Sequence, residues 1–196
     1  MKKILIIFSG IILSCIMVYG IWICVVNRNT DDYLDNDNVS QEIISYKGDK
    51  NNLEYNIIMC NYKKIKECLN KGADSNKMFK NLEKTPLMLS ATLPNYKEAI
   101  KISNLLINKG ANIKRRNSYG ANVLFYVGYY EYDSRSSKDN IKLLKYYISK
   151  GAETNIKIHG IDSDGNLTPK GKSVSLVQFY YSKGMEEEAK FLKQQH

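Results

Sequence analysis

From Leu53 onward the apolar residues of the chain fall three or four apart. Leu53 and Ile57, Ile65 and Leu69, Ile102 with Leu105 and Leu106, and Ile141, Leu144, Tyr147 and Ile148 each mark one face of a helix. Three of these runs break in the same way, at Lys71-Gly72-Ala73, Lys109-Gly110-Ala111 and Lys150-Gly151-Ala152. A basic residue closes the last turn, and the glycine after it tolerates a left-handed backbone, so each phrase predicts a helix stop. The three glycines stand 38 and 41 residues apart. That spacing makes an internal repeat, with room for two helices in each unit.

Helix starts are written into the same register. In Thr85-Pro86-Leu87-Met88-Leu89-Ser90-Ala91, Thr85 can cap and Pro86 sits where no N–H is needed. Asn122-Val123 holds that place in the third unit. Ser175 holds it in a fourth, followed by Leu176, Val177 and Phe179, a turn at Gly184, and a final helix from Met185 to Gln194 with Ala189 and Leu192 facing inward. The first unit has Cys60-Asn61-Tyr62 where a glycine-containing turn is expected. Gly151 to Ser175 reads as a long loop. The expected class is all-α, with a repeat domain over residues 51–196.

Thr85 to Ala91 resembles the ankyrin signature Thr-Pro-Leu-His-x-Ala, with Met88 where His is usual. Ile102 to Ala111 resembles that family's second helix and its stop. An ankyrin unit has about 33 residues, so the observed spacings imply insertions. The resemblance implies an ankyrin-repeat solenoid of about four units, with loop tips and first helices lining a concave side. Carried over position by position, it places Met78, Phe79, Arg115, Arg116, Tyr119 and His159 on the tips. It places Met88 and Phe125, with Gln178, at the family's His position, and Leu93, Tyr129, Tyr130, Tyr132 and Tyr181 nearby. Phe79 and Phe125 occupy positions that the family leaves polar, so they are the expected anchors for a partner. Tyr126 and Tyr147 are expected in the core. Leu93 to Ala99, Tyr129 to Asn140 and Ile156 to Lys170 are the inserted stretches, where a specific partner is expected to be read.

The N-terminal part has a different character. Lys2 and Lys3 precede 23 residues without a charge, Ile4 to Val26. At about 1.5 Å per residue such a run spans a bilayer core of about 30 Å. Residues 1–26 read as an uncleaved signal anchor, as a cleaved signal peptide, or as a lipoprotein signal in which Ile12-Leu13-Ser14-Cys15 makes Cys15 the lipidated residue. Each version carries the rest of the chain across a membrane, with contact through residues 4–26. Residues 27–50 are rich in Asn and Asp and read as a polar tether, with a short helical turn from Val39 to Tyr46. Cys60 and Cys68 either pair in an oxidising compartment or serve as small apolar residues.

The chain carries a formal charge of +9. Its lysines are spread through helical runs without an arginine-rich stripe, which argues against nucleic acid. No nucleophile elbow, zinc-protease pair or phosphate-cradling glycine loop occurs. His159 and His196 stand without an evident nucleophile. Asp162-Ser163-Asp164-Gly165-Asn166 begins like a calcium loop, but its twelfth position is Ser173 and not Glu, so a turn is expected. No cofactor, metal or small-molecule substrate is implied. The expected function is non-enzymatic protein binding outside the cytoplasm, with the domain in the periplasm. The expected form is an immunity protein that occludes an acidic-surfaced toxin, and the alternative is a constitutive envelope scaffold.

Overall fold

A computed structural model describes residues 52–79, 83–129, 135–168 and 170–195. The expectations for residues 1–26, for the tether at 27–50, for lipidation at Cys15, and for Tyr130, Tyr132 and His196 lie outside the described residues. Among the described residues no helix is long and apolar enough to cross a membrane.

The described chain is helix-rich. Its helices are α1 (Leu53–Ile58), α2 (Tyr62–Asn70), α3 (Pro86–Ala91), α4 (Tyr96–Asn108), α5 (Val123–Gly128), α6 (Ser137–Ser149), α7 (Leu176–Ser182) and α8 (Glu186–Lys193). Each odd-numbered helix packs on the even-numbered helix that follows it. The odd helices also pack on one another, α1 on α3 and α3 on α5, and the Phe125 and Phe179 rings, 4.3 Å apart, join α5 to α7. The even helices form a second layer. There α4 packs on α6 and α6 on α8, while the Lys101 ammonium lies over the Tyr62 ring and joins α2 to α4. One continuous apolar core runs between the layers, from Leu53 to Leu192.

The stops form as the sequence predicts. Gly72, Gly110 and Gly151 have φ of 91°, 89° and 97°. After each, the alanine N–H reaches back to a helix carbonyl, Ala73 to Cys68, Ala111 to Leu106 and Ala152 to Tyr147, at 2.9–3.0 Å. This six-to-one bond is the Schellman closure, and it satisfies a carbonyl that the helix end would otherwise orphan. Cys60 takes the same role after α1 at φ 51°, so a side chain sits where the other stops use glycine. Cys60 and Cys68 do not pair with each other.

The starts are capped by side chains. Thr85 Oγ1 accepts from the Met88 N–H at 3.2 Å, and the Met88 sulfur accepts from the Thr85 N–H at 3.4 Å. Ser175 and Gln178 make the same reciprocal box at the start of α7. Much of the inserted length becomes helix. α4 and α6 have 13 residues each against nine in α2. Asn95 caps α4 within the first insertion. Ser136 caps α6 four residues before Asn140, where the second inserted stretch was expected to end.

The loop expected from Gly151 to Ser175 is instead a hairpin. β1 (Lys157–Ile161) pairs antiparallel with β2 (Lys172–Ser175), with a bulge between Ile158 and Ile161. The hairpin is tied to the third unit: the His159 N–H donates to the Tyr119 carbonyl at 2.8 Å. Gly120 permits this contact, and Gly160 lets the hairpin close on itself. A Cβ on Gly120 would stand 2.6 Å from the Lys157 carbonyl, and one on Gly160 would stand 2.5 Å from that of Thr168.

Candidate functional site

The loop tips are held from below by asparagines. Asn76 donates to the Gly110 carbonyl at 2.8 Å and accepts from the Asn112 N–H at 2.7 Å, while Ser75 donates to the Lys109 carbonyl. One unit's tip therefore clasps the next unit's stop. Asn117 does more. Its amide nitrogen donates to the Glu83 carbonyl and the Tyr126 hydroxyl, and its oxygen accepts from the Tyr119 and Ala121 N–H groups. Asn122 donates to the Glu153 carbonyl at 2.8 Å. Each amide closes backbone groups in two units at once, so the tips are set by the stack.

These supports leave a basic rim. Lys77, Lys114, Arg115, Arg116, Lys157 and His159 are exposed on successive tips and on the hairpin. Arg116 is ion-paired with Glu153 of the following tip. Met78 and Tyr119 are half-buried, and the Tyr119 ring would lie within 3.3 Å of a Cβ at Gly160. Tyr181 is the one large apolar side chain exposed among the described residues, at 44%. It shares the open face of α7 with Gln178, three positions earlier on the helix.

Four members of the predicted set are placed elsewhere. Phe79, Met88, Leu93 and Phe125 are core side chains, with 4%, 1%, 5% and 0% exposure. The physical reasons differ. Phe79 and Lys84 form a β-bridge that folds the ring under the tip. The Met88 sulfur caps its own helix. Phe125 is enclosed by Phe179 and by Tyr129, which stacks on it at 4.8 Å. None of the four side chains is open to a partner in this state. Tyr129 is half-buried at the edge of that aromatic cluster, and it is the member that meets solvent.

Two features went unread in the sequence. His159 Nδ1 lies 2.6 Å from Ser173 Oγ across the hairpin, so this exposed pair pins β1 to β2. Arg135 is buried. Its guanidinium donates to the carbonyls of Ala91, Leu93 and Val127, sealing the C-terminal ends of α3 and α5 together. A buried arginine aimed at backbone has no local pattern by which to find it.

The titratable groups inside are structural. Burial pushes the Tyr126 and Tyr147 phenols up from their ordinary range. Both hydroxyls stay protonated and act as donors, Tyr126 to the Glu83 carbonyl at 2.9 Å. Asp162 accepts from the Asp164 and Asn166 N–H groups, so its carboxylate organises a turn. Among the described residues no three of His, Cys, Asp and Glu gather closely enough to hold a metal ion. A search against protein-family models and a search of curated proteins both return no match for the chain.

Proposed function

We propose that residues 52–195 are an ankyrin-type solenoid whose exposed tips and α7 face bind another protein. The recurring stop phrases, the Thr85-Pro86 cap and the two helix layers support the solenoid. The observation that carries the binding role is the rim itself. Tips at equivalent positions of successive units are clasped by asparagine amides and present Lys, Arg and Tyr outward. Arg and Tyr are types enriched among interface anchors. The rim suits an acidic partner, which it would also attract at long range. The function is occlusion without catalysis. The finer reading is an immunity protein, exported or anchored through residues 4–26, that covers a toxin in the periplasm.

A photo-crosslinkable residue at Tyr181 or Arg115, placed in cells that make the full chain, tests this. The expected outcome is one dominant acidic protein captured from both positions and not from Lys64 on α2. Cells deleted for the chain are expected to die on contact with sister cells. Equal capture from Lys64 removes the rim as the binding face. Full survival of the deletion strain removes the immunity role.

A further inference from the structure

The two helix layers differ sharply in charge. The odd helices α1, α3, α5 and α7, taken with their C-caps, carry one lysine, Lys183, and one carboxylate, Glu54. The even helices α2, α4 and α6, taken with their lysine C-caps, carry eleven lysines against three carboxylates. That is a net +8 of the formal +9 of the whole chain. Each of the three carboxylates is already paired on its own helix: Glu67 with Lys64, Glu98 with Lys101, and Asp139 with Lys142. The other eight lysines are exposed, and no described carboxylate pairs with them.

These lysines share a face. Lys138, Lys142 and Lys145 recur four and three apart on α6, opposite the buried Leu143, Leu144 and Tyr147. Lys97 and Lys101 do the same on α4, opposite Ile102 and Leu106. Half-buried aromatic rings lie among them. Lys101 lies over Tyr62 at 4.8 Å, Lys142 over Tyr96 at 4.3 Å, and Lys150 over Tyr146 at 5.7 Å. An ordinary solvated helix face mixes the signs of its charges, because alternating pairs stabilise it. On this one eleven lysines face three carboxylates across three helices, with tyrosine rings between them.

We infer that the outer faces of α2, α4 and α6 form a docking surface for an anionic lipid bilayer. Charge complementarity argues for lipid. So does the chain that precedes the described residues, with a run of 23 uncharged, mostly apolar residues and then 24 mostly polar ones before the domain. On the proposed reading of residues 4–26 as an anchor, 24 residues keep the domain within about 85 Å of the bilayer. A domain held that near a bilayer needs only weak attraction to settle on it. Lysines near an anionic surface supply such attraction, and tyrosine rings favour the headgroup level. With this face against lipid, the sparsely charged layer and the Tyr181 face of α7 are left free.

Amine acylation of the full chain, read by mass spectrometry, tests the surface. The chain is reconstituted in vesicles of phosphatidylcholine, or of phosphatidylcholine with about a third phosphatidylglycerol. Lys97, Lys138 and Lys145 are expected to react about fivefold more slowly on the anionic vesicles. Lys77 and Lys114 on the tips are expected to keep their rates. Salt at about 0.5 M should abolish the difference. In the triple variant K97E/K138E/K145E, with an unchanged circular dichroism spectrum, Lys63 and Lys66 should lose their protection as well. Equal rates on the two compositions overturn the proposal. Protection by added RNA or polyglutamate, with none from anionic vesicles, assigns the face to a different polyanion and also overturns it.

Discussion

A chain of three buried hydroxyls crosses the stack, and its hydrogen bonds have only one consistent direction. The Ser90 hydroxyl donates to the Leu87 carbonyl at 2.7 Å. Ser90 Oγ lies 2.8 Å from Ser103 Oγ, which lies 2.8 Å from the Tyr147 hydroxyl. A serine hydroxyl has one proton to give. Ser90 has given its own, so Ser103 donates to Ser90, and Tyr147 donates to Ser103. All three side chains are fully buried. Ser103→Ala therefore strands the phenol proton in the core, a cost of about 1–3 kcal/mol. Tyr147→Phe removes the donor and leaves Ser103 its bond to Ser90, at about 1 kcal/mol. The double variant S103A/Y147F strands no proton. Its cost should fall below the sum of the two single costs by about 1 kcal/mol or more. Urea unfolding of residues 52–195, followed by far-UV circular dichroism, measures all three. Strict additivity, or a costlier Tyr147→Phe than Ser103→Ala, refutes the assigned direction.

Four further outcomes follow from other sites and can be read in the same unfolding assay. Arg135→Met, which keeps the apolar stem and removes three donors to carbonyls, should cost about 2–4 kcal/mol. Gly110→Ala should cost about 1 kcal/mol from backbone strain alone, since nothing lies within 4 Å of an added Cβ. Cys60→Gly, at φ 51°, should move stability the other way. Burial raises the Tyr126 and Tyr147 pKa in the folded state, so the unfolded chain releases these protons first as pH rises. The stability they contribute is complete below the unfolded value of about 10 and is lost as pH climbs toward the folded values. Unfolding midpoints should fall between about pH 9 and 11, and less so in the Tyr126→Phe and Tyr147→Phe variants.

The stops were legible because a left-handed residue leaves a mark in sequence: glycine after a lysine, three times over. The caps were legible for a similar reason, since Thr85 and Ser175 each satisfy a donor three residues on. The hairpin was not. Its strands have five and four residues, and the bulge between Ile158 and Ile161 breaks the alternation that would announce a strand. The site was harder still. Phe125 was expected at the surface because the family register gives that position to the inner face of a helix. The register gives the face, not the depth. Depth depends on what the next unit contributes, and here Phe179 from α7 and Tyr129 close over the ring. Phe79 went inward because its strand-like pairing with Lys84 turned the tip. The side chains that stayed open, Arg115, His159 and Tyr181, sit where no later element covers them.

The partition of charge has a consequence for stability that separates it from packing. Buried apolar side chains from Leu53 to Leu192 hold the layers together, and the lysines of the outer faces take no part in that core. Nothing in the stack therefore fixes their sign. Lys66→Gln, Lys97→Gln and Lys138→Gln should each leave the unfolding free energy within about 0.5 kcal/mol. Lys101→Gln and Lys142→Gln should cost more, because each ammonium lies over a ring of the preceding even helix and also pairs with a carboxylate. If the first three variants are as costly as the last two, these lysines are structural and their shared sign carries no message. If they are neutral in unfolding, the fold leaves that sign free. The excess of positive charge then needs a cause outside the fold.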